Sequence, residues 1–191
     1  MEGLSGFSFN YYVPTEVVFG NGRLAEAGEL AARYGKKALL VTGHSGAVKA
    51  LAEKVMESLK NAGVDAVWFD GVIPNPTTAV ISKGAEIAKK EKCQVIIGLG
   101  GGSSMDTAKA IAVEAVHEGS AWDYLFYKNK PTEKTLPVIA IGTTAGTGAQ
   151  TTMIAVLTNE KCNDKSAICS PYIFPRIALV DPETTVSMPP S

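Results

Sequence analysis

Histidine is nearly missing from this chain: His44 and His117 are its only imidazoles, far apart in 191 residues, and a site needing three imidazoles cannot be built from them. Cysteine is little better represented. Cys93, Cys162 and Cys169 are an odd number in no Cys-x-x-Cys spacing, which argues against a disulfide framework, offers no close zinc-ligand pattern and suits reduced thiols. Neither sign of charge dominates, since 18 Lys and Arg face 19 Asp and Glu for a formal net charge of -1. There is no basic field to hold nucleic acid or an anionic membrane. No apolar run approaches the ~20 residues that span a bilayer, and Met1 to Asn10 lacks the basic-then-apolar order of a signal peptide. The expected compartment is the cytoplasm.

What is present is the balance of a globular protein, 46% hydrophobic and 19% charged, which suits one domain over 1–191. Apolar runs rich in Val, Ile and Leu alternate with longer segments of helical period, usually with Gly or Pro between them. That order predicts an α/β fold with a doubly wound, mostly parallel sheet and helices on both faces. Strands are expected at Lys37 to Thr42, Val64 to Asp70, Gln94 to Leu99, Pro137 to Ile141 and Ile177 to Val180, mostly without polar alternation, as suits strands covered on both faces. Helices are expected at Gly22 to Tyr34, Ser45 to Asn61, Thr77 to Lys92 and Ser104 to His117. Phe7 to Phe19, aromatic, β-branched and broken by Pro14, reads as an N-terminal edge β-ribbon and a candidate homodimer interface. Gly119 to Thr135 has no period and is long enough to cover a site. Past Thr151 the pattern weakens to a strand at Thr152 to Thr158, a polar turn at Asn159 to Lys165 and a final strand ending at Asp181.

The most informative stretch is Gly98-Leu99-Gly100-Gly101-Gly102-Ser103-Ser104-Met105-Asp106-Thr107-Ala108-Lys109, which follows an apolar strand and opens a helix. Glycines let backbone N–H groups approach a ligand without a Cβ in the way, and the helix dipole favours a pyrophosphate there. A capping box of Ser103 and Asp106 is expected beside it. The stretch is neither the Rossmann Gly-x-Gly-x-x-Gly nor a Walker A loop. A second cluster, Gly142-Thr143-Thr144-Ala145-Gly146-Thr147-Gly148, also follows a strand, so both loops should leave the same sheet edge and clasp one ligand.

These residues resemble a family. Gly100 to Lys109 matches the Gly-Gly-Gly-Ser-x-x-Asp-x-Ala-Lys signature of iron-containing alcohol dehydrogenases. Val72-Ile73-Pro74-Asn75-Pro76-Thr77 is similar to their Pro-Asn-Pro-Thr segment, and Thr143 to Gly148 to their Thr-Thr-x-Gly-Thr-Gly segment. Pro14-Thr15 with Phe19 to Gly22, and Val180-Asp181-Pro182 with Ser187 to Pro190, resemble the family's opening and mid-chain motifs. The resemblance implies a dehydroquinate synthase-like nucleotide-binding domain, followed in the family by a helical domain that holds a divalent metal, iron or zinc. The family's metal ligands lie beyond the Met-Pro-Pro segment where this sequence ends, so neither a ligand nor a catalytic residue is carried onto it.

For the cofactor, NAD or NADP, the resemblance implies contacts at Asn75, at Gly101, Gly102 and Ser103 for the pyrophosphate, and at Asp106 on the nicotinamide side. Thr143, Thr144 and Thr147 would line the second side, with Thr152, Ile154, Lys165 and Thr184 completing the cleft. Ala149-Gln150 departs from the family's usual Ser-Glu, and Thr184 from its frequent Leu. A rival cofactor loop, Val41-Thr42-Gly43-His44-Ser45-Gly46 with Asp70 ending the next strand, imitates a Rossmann unit but lacks the first glycine of the fingerprint. In the family the loop at Gly43 approaches the adenosine ribose, and NAD-preferring members often carry Asp there. Gly43 therefore predicts that NADP is accepted at least as well as NAD. The expected function is the cofactor-binding half of a dehydrogenase that passes hydride between NAD(P) and a small primary alcohol or aldehyde, the chain alone being inactive. The alternatives are a non-catalytic nucleotide-binding module and a glycerol or polyol dehydrogenase of the same superfamily.

Overall fold

The computed structural model describes residues 8–125 and 129–187. Its eight strands are β1 (Glu16–Phe19), β2 (Lys37–Gly43), β3 (Asp65–Val72), β4 (Val95–Gly100), β5 (Val138–Gly142), β6 (Ile154–Asn159), β7 (Asp164–Cys169) and β8 (Ile177–Val180). The helices are α1 (Ala27–Ala32), α2 (Gly46–Asn61), α3 (Thr78–Lys90) and α4 (Gly102–Glu114). Six strands form one sheet in the order β1-β8-β5-β4-β2-β3, with every pairing parallel. β6 and β7 form a separate antiparallel hairpin.

Strand periodicity divides the core. Ala38 and Leu40 of β2, with Val95, Ile97 and Leu99 of β4, face α1 and α2 and bury against Leu30, Val55 and Leu59. Leu39 and Val41, with Ile96, face the other way onto Ile81 of α3 and Ile111 of α4. Both faces are covered, which is why these strands read as continuous apolar runs. At Gly98 a Cβ would stand 2.8 Å from the Ala108 Cβ, so the glycine lets α4 lie directly on β4.

The order reverses between β2 and β4. From β2 the chain steps outward through α2 to β3, then returns through α3 on the opposite face to β4. The register places Val41 opposite Gly98, so the Gly43 and Gly100 loops stand side by side at the crevice where open parallel sheets bind ligands.

Several expectations change. Of the N-terminal ribbon, Glu16–Phe19 forms an edge strand beside β8; described residues 8–15 form no strand, and Phe7 lies outside the described residues. The first helix is split into a 3-10 turn, Arg23–Glu26, and α1. The expected turn at Asn159 to Lys165 is shorter, its ends belonging to β6 and β7. The segment from Gly119 covers the core beside the C-terminal end of α4, through Ala121, Tyr124 and Leu125, rather than the glycine loops at its N-terminus. There His117 Nδ1 lies 2.8 Å from the Val113 carbonyl oxygen and Nε2 accepts the Thr132 N–H at 3.1 Å, so the proton sits on Nδ1 and the ring is a clip. Met188 to Ser191, the end of the mid-chain motif, lie outside the described residues.

Candidate functional site

The site is built on the N-terminus of α4. Gly101 is the N-cap, with no side-chain capping bond, so the expected box of Ser103 and Asp106 does not form. The helix begins before Ser103, and Asp106 Oδ2 instead accepts the Val156 N–H of β6 at 3.1 Å. The N–H groups of Ser104 and Met105 both turn back to the Gly101 carbonyl, at 3.1 and 3.2 Å. Those of Gly102 and Ser103 precede any helical acceptor and point out of the helix end, with its positive dipole behind them.

The second loop meets the first. Thr143 N–H donates to the Gly100 carbonyl at 3.0 Å, which ties the ends of β5 and β4. A Cβ on Gly101 would lie 3.4 Å from Thr144 Oγ1, and one on Gly102 would lie 3.1 Å from Thr147 Cγ2. Side chains at these positions would fill the seam, so the glycines keep it open to a ligand.

The hairpin supplies the opposite wall. Asn75 adopts φ 54, a left-handed conformation that Asn tolerates, within the turn between β3 and α3. Its Oδ1 accepts a hydrogen bond from Lys165 Nζ of β7 at 2.8 Å, and Thr158 N–H donates to the Pro76 carbonyl at 2.9 Å. Between turn, hairpin and α4 lies a cleft of about 450 Å³.

Of the residues expected from sequence, Asn75, Gly102, Ser103, Asp106, Thr147, Thr152, Ile154 and Lys165 line this cleft, joined by Pro76, Ala149 and Val156. Gly101, Thr143 and Thr144 form the seam behind it, Thr143 being buried. Gly43 lies at the end of β2, across the switch point, where His44 Nδ1 is 3.4 Å from Asp70 Oδ2. Thr184 does not line the cleft: its Oγ1 is buried 2.7 Å from the carbonyl oxygens of both Gly142 and Asp181.

Sequence reasoning missed Lys109 as more than a motif letter. Its side chain is fully buried, with Nζ 2.9 Å from the Thr152 carbonyl, 3.3 Å from Thr152 Oγ1, 2.7 Å from the Ile154 carbonyl and 3.8 Å from Asp106 Oδ1. Burial pushes the lysine pKa down to about 8, against the opposing pull of the Asp106 charge. Burial likewise raises that of Asp106, which Lys109 and the Val156 N–H partly offset. The signal lay in Ala108-Lys109-Ala110-Ile111-Ala112-Val113, where one lysine interrupts an otherwise apolar stretch of α4.

The chain is similar to known proteins in sequence and in overall fold. The family model for iron-containing alcohol dehydrogenase matches residues 14–182. The chain is 46% identical to a choline dehydrogenase of Bacillus subtilis over 94% of its own length and 46% of that protein's. It is 38% identical to an NAD-dependent methanol dehydrogenase of Bacillus methanolicus, over 94% of its own length and 47% of the relative's. Among solved structures, an NADH-dependent butanol dehydrogenase A from Thermotoga maritima superposes with a TM-score of 0.89 at 35% identity, covering 95% of this chain and 46% of that one. The chain thus spans about half the length of these relatives.

Proposed function

The chain belongs to the iron-containing alcohol dehydrogenase family, and on that premise we propose that residues 1–191 are its cofactor-binding half, taking NAD or NADP for hydride exchange with a small primary alcohol or aldehyde. The observation that carries this reading is the open seam between the Gly101-Gly102 and Thr144-Thr147 loops, set against the free N–H groups of α4 at the switch point. A pyrophosphate fits there, because a dianion needs donors without intervening side chains. Ser103 and Thr147 would add hydroxyls. Ile154 and Val156 give an apolar wall for the nicotinamide, while Asn75 and Lys165 close the far end. When bound, the nicotinamide accepts or returns the hydride; the residues here orient the ring and keep water from one face.

Among the described residues, no group of three or more His, Cys, Asp or Glu side chains could hold a metal ion. We propose that the divalent metal of the family is held by residues outside this stretch. We expect the isolated chain to bind the dinucleotide in calorimetric titration and to oxidise no ethanol or butanol with added iron or zinc. Robust metal-dependent turnover by the purified chain would sink the assignment of two halves.

The setting we propose is cytoplasmic, and no helix among the described residues is long and apolar enough to cross a membrane. Among the described residues β1 is an edge strand with Val17 and Phe19 exposed, which supports a homodimer formed by pairing of two such edges. Light scattering should give a dimer mass, and Phe19→Lys should shift it to monomer; an unshifted dimer would move the interface elsewhere.

A further inference from the structure

Among the described residues no strand covers the outer edge of β6, which meets only an isolated parallel bridge from Thr77 at Thr158. In an antiparallel pair, alternate residues direct both N–H and C=O to the same side. The side of β6 away from β7 therefore carries the polar groups of Thr152, Ile154, Val156 and Thr158. Every bond recorded there comes from outside the sheet: the Thr152 and Ile154 carbonyls accept from Lys109 Nζ, the Val156 N–H donates to Asp106 Oδ2, and the Thr158 N–H donates to the Pro76 carbonyl. Lys109 and Asp106 are one helical turn apart on α4, so a cation meets the carbonyls and an anion meets the amide.

We propose that Lys109 and Asp106 act as a substitute neighbouring strand for β6, and that Lys109 is thereby the positioning residue for the hairpin wall of the cleft. The cofactor consequence rests on the dinucleotide reading above; the edge itself does not. An ammonium has three donors, and three oxygens lie within 3.3 Å of Nζ. Removing those donors takes the lysine partner from two part-buried carbonyls, which loosens the hairpin while the six-stranded sheet keeps its own ladder. Asp106 is the charged group recorded against Lys109 among the described residues.

Protonation gives a signature that ordinary packing lacks. Burial in the docked structure lowers the Lys109 pKa to about 8, and a lysine that undocking returns to water regains the ordinary 10.5. The undocked state thus binds more protons in that interval, and docking must strengthen as pH rises from 8 toward 10.5.

The test pairs hydrogen-exchange protection of the Val156 amide, referred to Ile97 in β4, with fluorescence titration by NADH and NADPH. Lys109→Met should lower the Val156 protection ratio at least tenfold and weaken dinucleotide binding at least tenfold; wild-type values for both would overturn the proposal. If Ile97 loses protection too, Asp106→Asn decides. It keeps an oxygen acceptor for Val156 but removes the charge favouring the ammonium, so the pH-dependent rise should begin lower than in the wild type. A protection ratio flat with pH in the wild type would overturn the proposal. A wild-type chain showing the rise but binding neither dinucleotide sustains the strand-edge role and sinks the cofactor reading.

Discussion

The loops after β2 and β4 are alike in composition and stand on adjacent strands, yet they are finished differently. After β2, Ser45 caps α2 by accepting the Val48 N–H at 3.4 Å, and a Cβ on Gly43 would meet only the Val72 carbonyl at 3.5 Å. After β4, the N-cap is a glycine without a side chain to offer, and the Thr144 and Thr147 side chains stand over the glycines. The first loop satisfies part of its own helix end. The second leaves its helix end without a side-chain cap beneath a facing loop, which is the opening the proposed dinucleotide would fill. Glycine content alone does not tell these apart; what a Cβ would meet does.

Substitution in the second loop should have the largest effect. Gly101→Val should reduce dinucleotide affinity at least a hundredfold, about 2.8 kcal/mol, with the circular dichroism of the fold retained, since the added carbons meet Thr144 side-chain atoms rather than backbone. Unchanged affinity in the folded variant would move the site to the Gly43 loop. A smaller effect is expected at Gly43 itself. We expect NADP to bind at least as well as NAD, because nothing at residue 43 repels a 2′-phosphate, and Gly43→Asp should weaken NADP about tenfold, near 1.4 kcal/mol, while sparing NAD. The space is there, but the His44 and Asp70 pair is close; NAD binding tenfold tighter in the unaltered chain would assign discrimination to Asp70. The smallest change is Ser45→Ala. Loss of a long capping bond should cost about 0.5 kcal/mol in urea unfolding, the low end for N-caps, with no effect on dinucleotide affinity.

Much of the architecture was legible because the central strands are buried on both faces. Lys37 to Thr42 and Ile177 to Val180 differ from the observed strands by at most one residue. β7 was missed because Asp164-Lys165-Ser166 is polar and exposed at one end, and its partner β6 supplies the pairing that sequence period cannot show. The glycine and threonine loops were visible as composition, and their meeting followed from strand adjacency. Asp106 and Thr184 were harder. Each has a polar group satisfied by a residue far away in sequence, Val156 for one and Gly142 for the other, and no local pattern encodes such a partner. Lys109 was hidden for the same reason, since a lysine is ordinarily solvated.

The sheet edge also has a consequence for the order of synthesis. β1 pairs with β8, and the Leu24 N–H is capped by Asp181, a partner 157 positions later. At a translation rate of about 5–20 residues per second, that partner is made roughly ten to thirty seconds after Leu24. Until then Val18 and Leu24 lack the β8 residues Ile177 and Leu179 that share their core. The β1 edge is therefore made well before the strand that shelters it, and a protease acting on nascent chains that stop short of Asp181 should cut there before it cuts the central strands.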